Sequence, residues 1–157
     1  MASMDTLIDM GKRDVQEKLK EGTADITRKG ADFQGVKDQL TDMPGGLDAD
    51  LQQLIKDAVD QGRADAAADI EETKKAVIDL ARKTKDSISG DIKTKISDNN
   101  TAKGKLDGVN SRYGKGAIDR AKSDIADNTR RGEDYLKVLQ DVMEKADQDI
   151  MNVKDKL

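Results

Sequence analysis

The side chains in this chain that could do chemistry are carboxylates, lysines, hydroxyls and amides, because its 157 residues contain no His, no Cys and no Trp. Most general-base, nucleophilic and soft-metal chemistry near neutral pH runs through His and Cys. Paired acids are plentiful, among them Asp48 with Asp50 and Glu71 with Glu72. Such a pair works as acid and base only where burial or a neighbour pulls the two pKa values apart. Adjacent acids on a helix point to different faces and no apolar pocket is evident around these, so they read as solvated surface. Asp48-Ala49-Asp50 opens like a calcium loop but lacks the later ligands and the closing glutamate. Gly104-Lys105 and Gly114-Lys115-Gly116 have the residue types of a phosphate loop without its spacing or a preceding strand. The expectation is a non-enzymatic protein with no catalytic residue, no metal site and no cofactor.

What remains is chemistry of contact. Phe33, Tyr113 and Tyr135 are the only aromatic residues, and large rings dominate contact energy wherever they are buried. Phe33 and Tyr135 fall on apolar stripes and are expected in the core. Tyr113 sits among glycines and is the candidate partner contact. Asn128 interrupts an otherwise apolar seam, where an amide commonly fixes register or oligomeric state; local fraying of the helix is the alternative. Gly30, Gly62 and Gly132, like Gly11 and Gly22, lie on the stripes. Each costs about 1 kcal/mol relative to alanine inside a helix, a cost that close approach of a neighbouring backbone or ring offsets.

These residues are positioned by long helices. Met4, Ile8, Gly11, Val15, Leu19, Gly22, Ile26, Gly30, Phe33, Val36 and Leu40 recur in steps of three and four, predicting a helix over 5–41. Asp42-Met43-Pro44-Gly45-Gly46 ends it in a turn over 42–46, since proline removes a backbone donor and the paired glycines permit reversal. Leu47, Leu51, Leu54, Ala58, Gly62, Ala66, Ile70, Thr73, Val77, Leu80, Thr84 and Ile88 predict a second helix over 47–98. Its stretch from Ser87 to Ile96 also fits a strand, and Gly90 weakens either choice. Asp98-Asn99-Asn100 and four glycines predict a loop over 99–115. Ile118, Ala121, Ile125, Asn128, Gly132, Tyr135, Leu139, Val142, Ala146, Ile150, Val153 and Leu157 predict a last helix over 117–156.

Composition agrees. Charged residues are 38% and apolar residues 35% of the chain, too little apolar surface for a thick globular core but enough for narrow helix seams. The expected fold is all-α: one domain, an elongated antiparallel bundle or coiled coil of three long helices, or four if Gly90 breaks the second. A net charge of −4 argues against nucleic acid as partner. The charge is uneven: ten acids face Lys56 and Arg63 between Asp38 and Glu72, whereas six bases face Asp107 and Asp119 between Ala102 and Lys122. That asymmetry either steers one molecule onto another or records two solvated faces that differ by chance. No apolar run is long enough to cross a bilayer, and the first twenty residues lack a secretory apolar block. The expected setting is the cytoplasm, or secretion without such a signal.

Two patterns remain. Residues 24–36 and 126–138 share A-D-x-T-R-[KR]-G-x-D-[FY]-x-x-V, 102 positions apart; this echo marks either two equivalent contact sites or two similar seams. Separately, Gly132-Glu133-Asp134-Tyr135 with Ala146-Asp147-Gln148-Asp149 resembles the closing helix of small helical hairpins exported by bacterial type VII secretion. The Trp-x-Gly turn of that family is absent, with Tyr113-Gly114-Lys115-Gly116 near where it would fall. The resemblance implies an exported, non-enzymatic bacterial protein that pairs helix to helix. The functional expectation is a structural or interaction protein, a filament subunit or secretion-associated bundle, with a second copy or another helical protein as partner. The alternative is an amphipathic lipid- or stress-associated protein adsorbing to membrane surfaces, which the scarcity of bulky apolar residues disfavours.

Overall fold

The computed structural model describes residues 2–42, 48–109 and 113–157. Every regular element among them is helical, and the helices pack against one another as an all-α bundle. α1 (Met4–Gly11) passes through a single wider π turn at Lys12–Gln16 into α2 (Glu17–Thr41). α3 covers Ala49–Asp107 and α4 covers Lys115–Asp155. Asp42 forms a turn after α2, and positions 43–46 of the proline corner lie outside the described residues.

The helix termini follow from local chemistry. Ser3 Oγ accepts from the Thr6 amide at 3.2 Å and caps α1. Asp48 Oδ1 does the same for α3, accepting from the Leu51 amide at 2.9 Å. Gly114 adopts φ +82° immediately before α4, a conformation suited to glycine, and its carbonyl accepts from the Ile118 amide at 2.8 Å.

The second helix corrects the expected boundaries. It continues through Gly90 and through 99–107, so the loop placed at 99–115 shrinks to the positions between Asp107 and Lys115. Weak helix formers such as Asn and Gly cost at most about 1 kcal/mol each. The helix is tied to its neighbours at the far end of this stretch, where Leu106 is half-buried and Asp107 pairs with Lys122 of α4 at 2.6 Å. The stripe predicted on this helix is also partly misplaced. Leu51, Leu54, Ala58 and Leu80 are exposed, Ile70 and Ile88 are buried as expected, and Val59, Ile78, Ala81 and Ile92 are buried outside it; Val59, Ile70, Ala81 and Ile92 are spaced eleven apart. Eleven residues make close to three whole turns, so this line stays on one side of the helix.

The π turn has a geometric cause. Leu7, Gly11, Val15 and Leu19 are all buried, three successive steps of four residues. Each such step overshoots a full α-turn by about 40°, which would carry Leu19 well off the packed face. One turn with wider hydrogen-bonded loops unwinds the helix and restores the alignment.

The described residues form two compact units, Met1–Glu17 with Ala81–Met143 and Lys18–Leu80 with Glu144–Leu157. In the first, α1 runs parallel to the start of α4 and both run antiparallel to the end of α3. Met4 and Ile92 meet Gly132, Gly11 meets Tyr135, and Asp107 pairs with Lys122. Its core is Met4, Leu7, Val15, Ala81, Ile88, Ile92, Tyr135 and Leu139. In the second, α2 lies antiparallel to the start of α3, with Gly22 on Val77 and Gly62 on Phe33. The end of α4 runs parallel to α2 there, placing Val153 on Gly30. Its core is Leu19, Ile26, Phe33, Val59, Ile70, Ile78, Ala146 and Ile150. A fully buried aliphatic side chain contributes about 1.5–3 kcal/mol, and each unit holds several that reach that limit.

Candidate functional site

Each unit contains an aromatic ring seated on a glycine of a neighbouring helix, and the two rings are those of the sequence echo. In the first unit Tyr135 of α4 lies over Gly11, at the end of α1. A Cβ at Gly11 would fall 2.6 Å from both Cε1 and the hydroxyl oxygen of that ring. The ring is buried, and its hydroxyl donates to Gln16 Oε1 at 2.9 Å. Gln16 closes the π turn, so the wider turn and the tyrosine hydrogen bond occur at one place. Burial of the phenol, reinforced by the nearby Asp9 carboxylate, pushes its pKa up to about 12.

One turn before Tyr135, Gly132 receives the Met4 side chain, whose Cε would stand 2.5 Å from an added Cβ. Asp5 of α1 and Arg131 of α4 are ion-paired beside this contact. Seams this tight explain glycines that helix propensity alone would disfavour.

In the second unit Phe33 of α2 lies against Gly62 of α3, with a looser fit. The nearest ring carbon is 3.4 Å from an added Cβ, ordinary van der Waals contact. The Arg63 guanidinium lies 6.0 Å from the Phe33 ring centroid, and its Nε donates to the Leu157 carbonyl at 3.0 Å. Beside the ring is an open groove of about 320 Å³ lined by Phe33, Val36, Gly62, Ala66, Lys29, Asp32, Asp65 and Asp69. Gly30, one turn before Phe33, faces Val153 of α4, whose Cγ1 would stand 2.8 Å from an added Cβ. The echo therefore corresponds to one packing device used twice: a glycine that admits a neighbour's side chain, then an aromatic seated on another helix's glycine. The Asp25–Arg28 and Asp127–Arg130 ion pairs repeat with it.

The remaining residues singled out in the sequence take different positions. Asn128 is half-buried in α4, eleven positions before Leu139, and no hydrogen bond of its side chain is found among the described residues. Beside it in sequence, Thr129 Oγ1 is buried without a hydrogen-bond partner, as is Asn99 Nδ2 of α3. Tyr113 is 91% exposed, between α3 and α4. Gln16 was not legible, because its partner lies 119 positions away.

Charged pairs link helices within each unit. Lys154 Nζ donates to Glu71 Oε2 at 2.9 Å, which holds the Glu71 carboxyl below its ordinary pKa. Lys122 lowers that of Asp107 in the same way. Both carboxylates are solvated, so these pairs set alignment more than stability. Asp48 is taken up as a helix cap, and Glu71 and Glu72 lie apart in exposure and pairing. Among the described residues no cluster of three or more acids is arranged to hold a metal ion, and no helix is long and apolar enough to cross a membrane.

No protein-family model, curated protein or solved structure matches this chain.

Proposed function

We propose that this protein is a non-enzymatic contact protein, working through the outer faces of its helices, in an exported or secretion-associated assembly or filament. One observation carries the reading. Leu51 and Leu54, one turn apart on α3, are 45% and 63% exposed on a surface otherwise rich in charge. Residues three apart share a helix face, so the two leucines form a continuous apolar step that a second helix would cover. Val36, at the end of α2 in the same unit, is exposed as well. The likeness of the closing helix to type VII-exported hairpins supports an exported setting for such contacts.

A photo-crosslinking side chain at Leu54, introduced in the cells that make the protein, tests this reading. Protein adducts at position 54, with none from the same probe at the solvated Lys20, are the expected result. Adducts to lipid alone, or adducts equally frequent at both positions, overturn it. Circular dichroism separates the adsorption alternative, because a contact protein shows its full helix signal in buffer and gains none when anionic vesicles are added.

A further inference from the structure

The contact reading leaves the partner open, and the charge distribution narrows it. In the second unit the ends of α2 and α3 that flank the proline corner carry Asp38, Asp42, Asp48, Asp50 and Asp57 against Lys37 and Lys56, and the next acid, Asp60, is paired with Arg63. Asp50 and Asp57 bracket Leu54 at spacings of four and three, so acid and leucine share one face. In the first unit the end of α3 and the start of α4 carry Lys103, Lys105, Lys115, Arg120 and Lys122 against Asp107 and Asp119; Lys122 pairs with Asp107, and Lys103, Lys105 and Lys115 have no ion pair among the described residues. Here the exposed apolar groups are Val109 and Tyr113. Acidic groups around leucines in one unit thus match basic groups around a tyrosine and a valine in the other.

Resting on the contact reading, we propose that the partner is a second copy of this chain: the acidic α2/α3 end of one molecule docks on the basic α3/α4 end of another. Both halves of the match are present in one sequence, which is what self-recognition between two different surfaces requires. Such a contact is heterologous, so each molecule offers one surface of each kind and association propagates unless it closes into a ring. Opposite charge steers the encounter and fixes register, while burial of Leu51, Leu54 and Tyr113 supplies the attraction at its centre.

Sedimentation velocity of the full chain, across protein concentration at about 0.1 M and about 1 M salt, reads this directly. The mass is expected to rise with concentration at low salt and fall at high salt. A D50K/D57K variant and a K103E/K105E variant are each expected to stay monomeric with unchanged helix signal, and their equimolar mixture to associate. Tyr113→Ala is expected to weaken association about tenfold without moving the melting curve. A wild-type chain that stays monomeric at every concentration and salt overturns the proposal, as does association that survives either charge reversal. Monomeric behaviour combined with position-54 adducts to a different protein would sink the second-copy proposal alone and leave the contact reading standing.

Discussion

The two aromatic seats come from nearly the same thirteen-residue pattern, yet they are built to different tolerances. Tyr135 presses on Gly11 so closely that any side chain there would force the ring to shift, and its hydroxyl is held by Gln16. Phe33 rests on Gly62 at ordinary contact distance and borders an open groove. Local sequence therefore chose the motif, a glycine followed three positions later by a ring. The opposing helix decided how tight the seat became. The π turn beside Gly11 and Gln16, absent at the Gly62 seat, is the visible part of that difference.

Removing the rings is the largest way to break this comparison. Tyr135→Ala leaves a cavity in a closed core and is expected to cost about 3–5 kcal/mol. Phe33→Ala, at the edge of a groove that solvent and neighbouring side chains can fill, is expected to cost about 3 kcal/mol or less. Chemical denaturation of both variants under one condition gives the order, and equal losses would show that the two seats are energetically alike.

A sharper separation comes from the glycines, where the expected signs are opposite. Gly62→Ala meets Phe33 at 3.4 Å and gains helix propensity, so it should be neutral or stabilise by up to about 1 kcal/mol. Gly11→Ala gains the same propensity but drives Cβ into a ring anchored by its hydrogen bond, and overpacking of this kind costs about 1–3 kcal/mol. The net change at Gly11 is destabilising. Thermal melting of the pair decides it, and a stabilised Gly11→Ala would mean that the Tyr135 ring moves aside at little cost.

How much of this was readable from sequence depends on which neighbour sets each feature. The stripe on α4 from Gly132 to Ile150 was legible because an unbroken helix keeps its own periodicity. The π turn left a trace, the successive four-residue steps at Gly11, Val15 and Leu19, which an ideal helix does not keep on one face. On α3, Leu51, Leu54 and Leu80 drew the predicted stripe off the buried line, since a leucine spaced correctly for a seam need not face one. The burial of Val59, Ile70, Ala81 and Ile92 is decided by helices far away in the chain, as the approach of Ile92 to Gly132 of α4 illustrates, and no local pattern contains that information. Asp98-Asn99-Asn100 read as a turn because its residue types favour one, whereas the helix runs on through it to Asp107, whose pairing with Lys122 of α4 no local pattern contains. Gly30, Gly62 and Gly132 were recognisable as stripe positions, whereas their differing tolerance depends on Val153, Phe33 and Met4, each distant in sequence.

The smallest expected effect isolates the tyrosine hydroxyl. Tyr135→Phe keeps the ring on Gly11 and removes one hydrogen bond to a half-buried amide, a loss of about 1 kcal/mol. It also removes a titration. The phenol has an ordinary pKa of 10.0, raised in the folded chain to about 12, so the folded state holds its proton more firmly than the unfolded one. The stability from this difference is complete below pH 10 and is lost as the pH rises toward about 12. Wild type and Tyr135→Phe should therefore converge in melting temperature through that window, the wild type falling faster. Parallel alkaline limbs would show that the phenol ionises as easily in the folded chain as in the unfolded one, and that its seat against Gly11 is open to water.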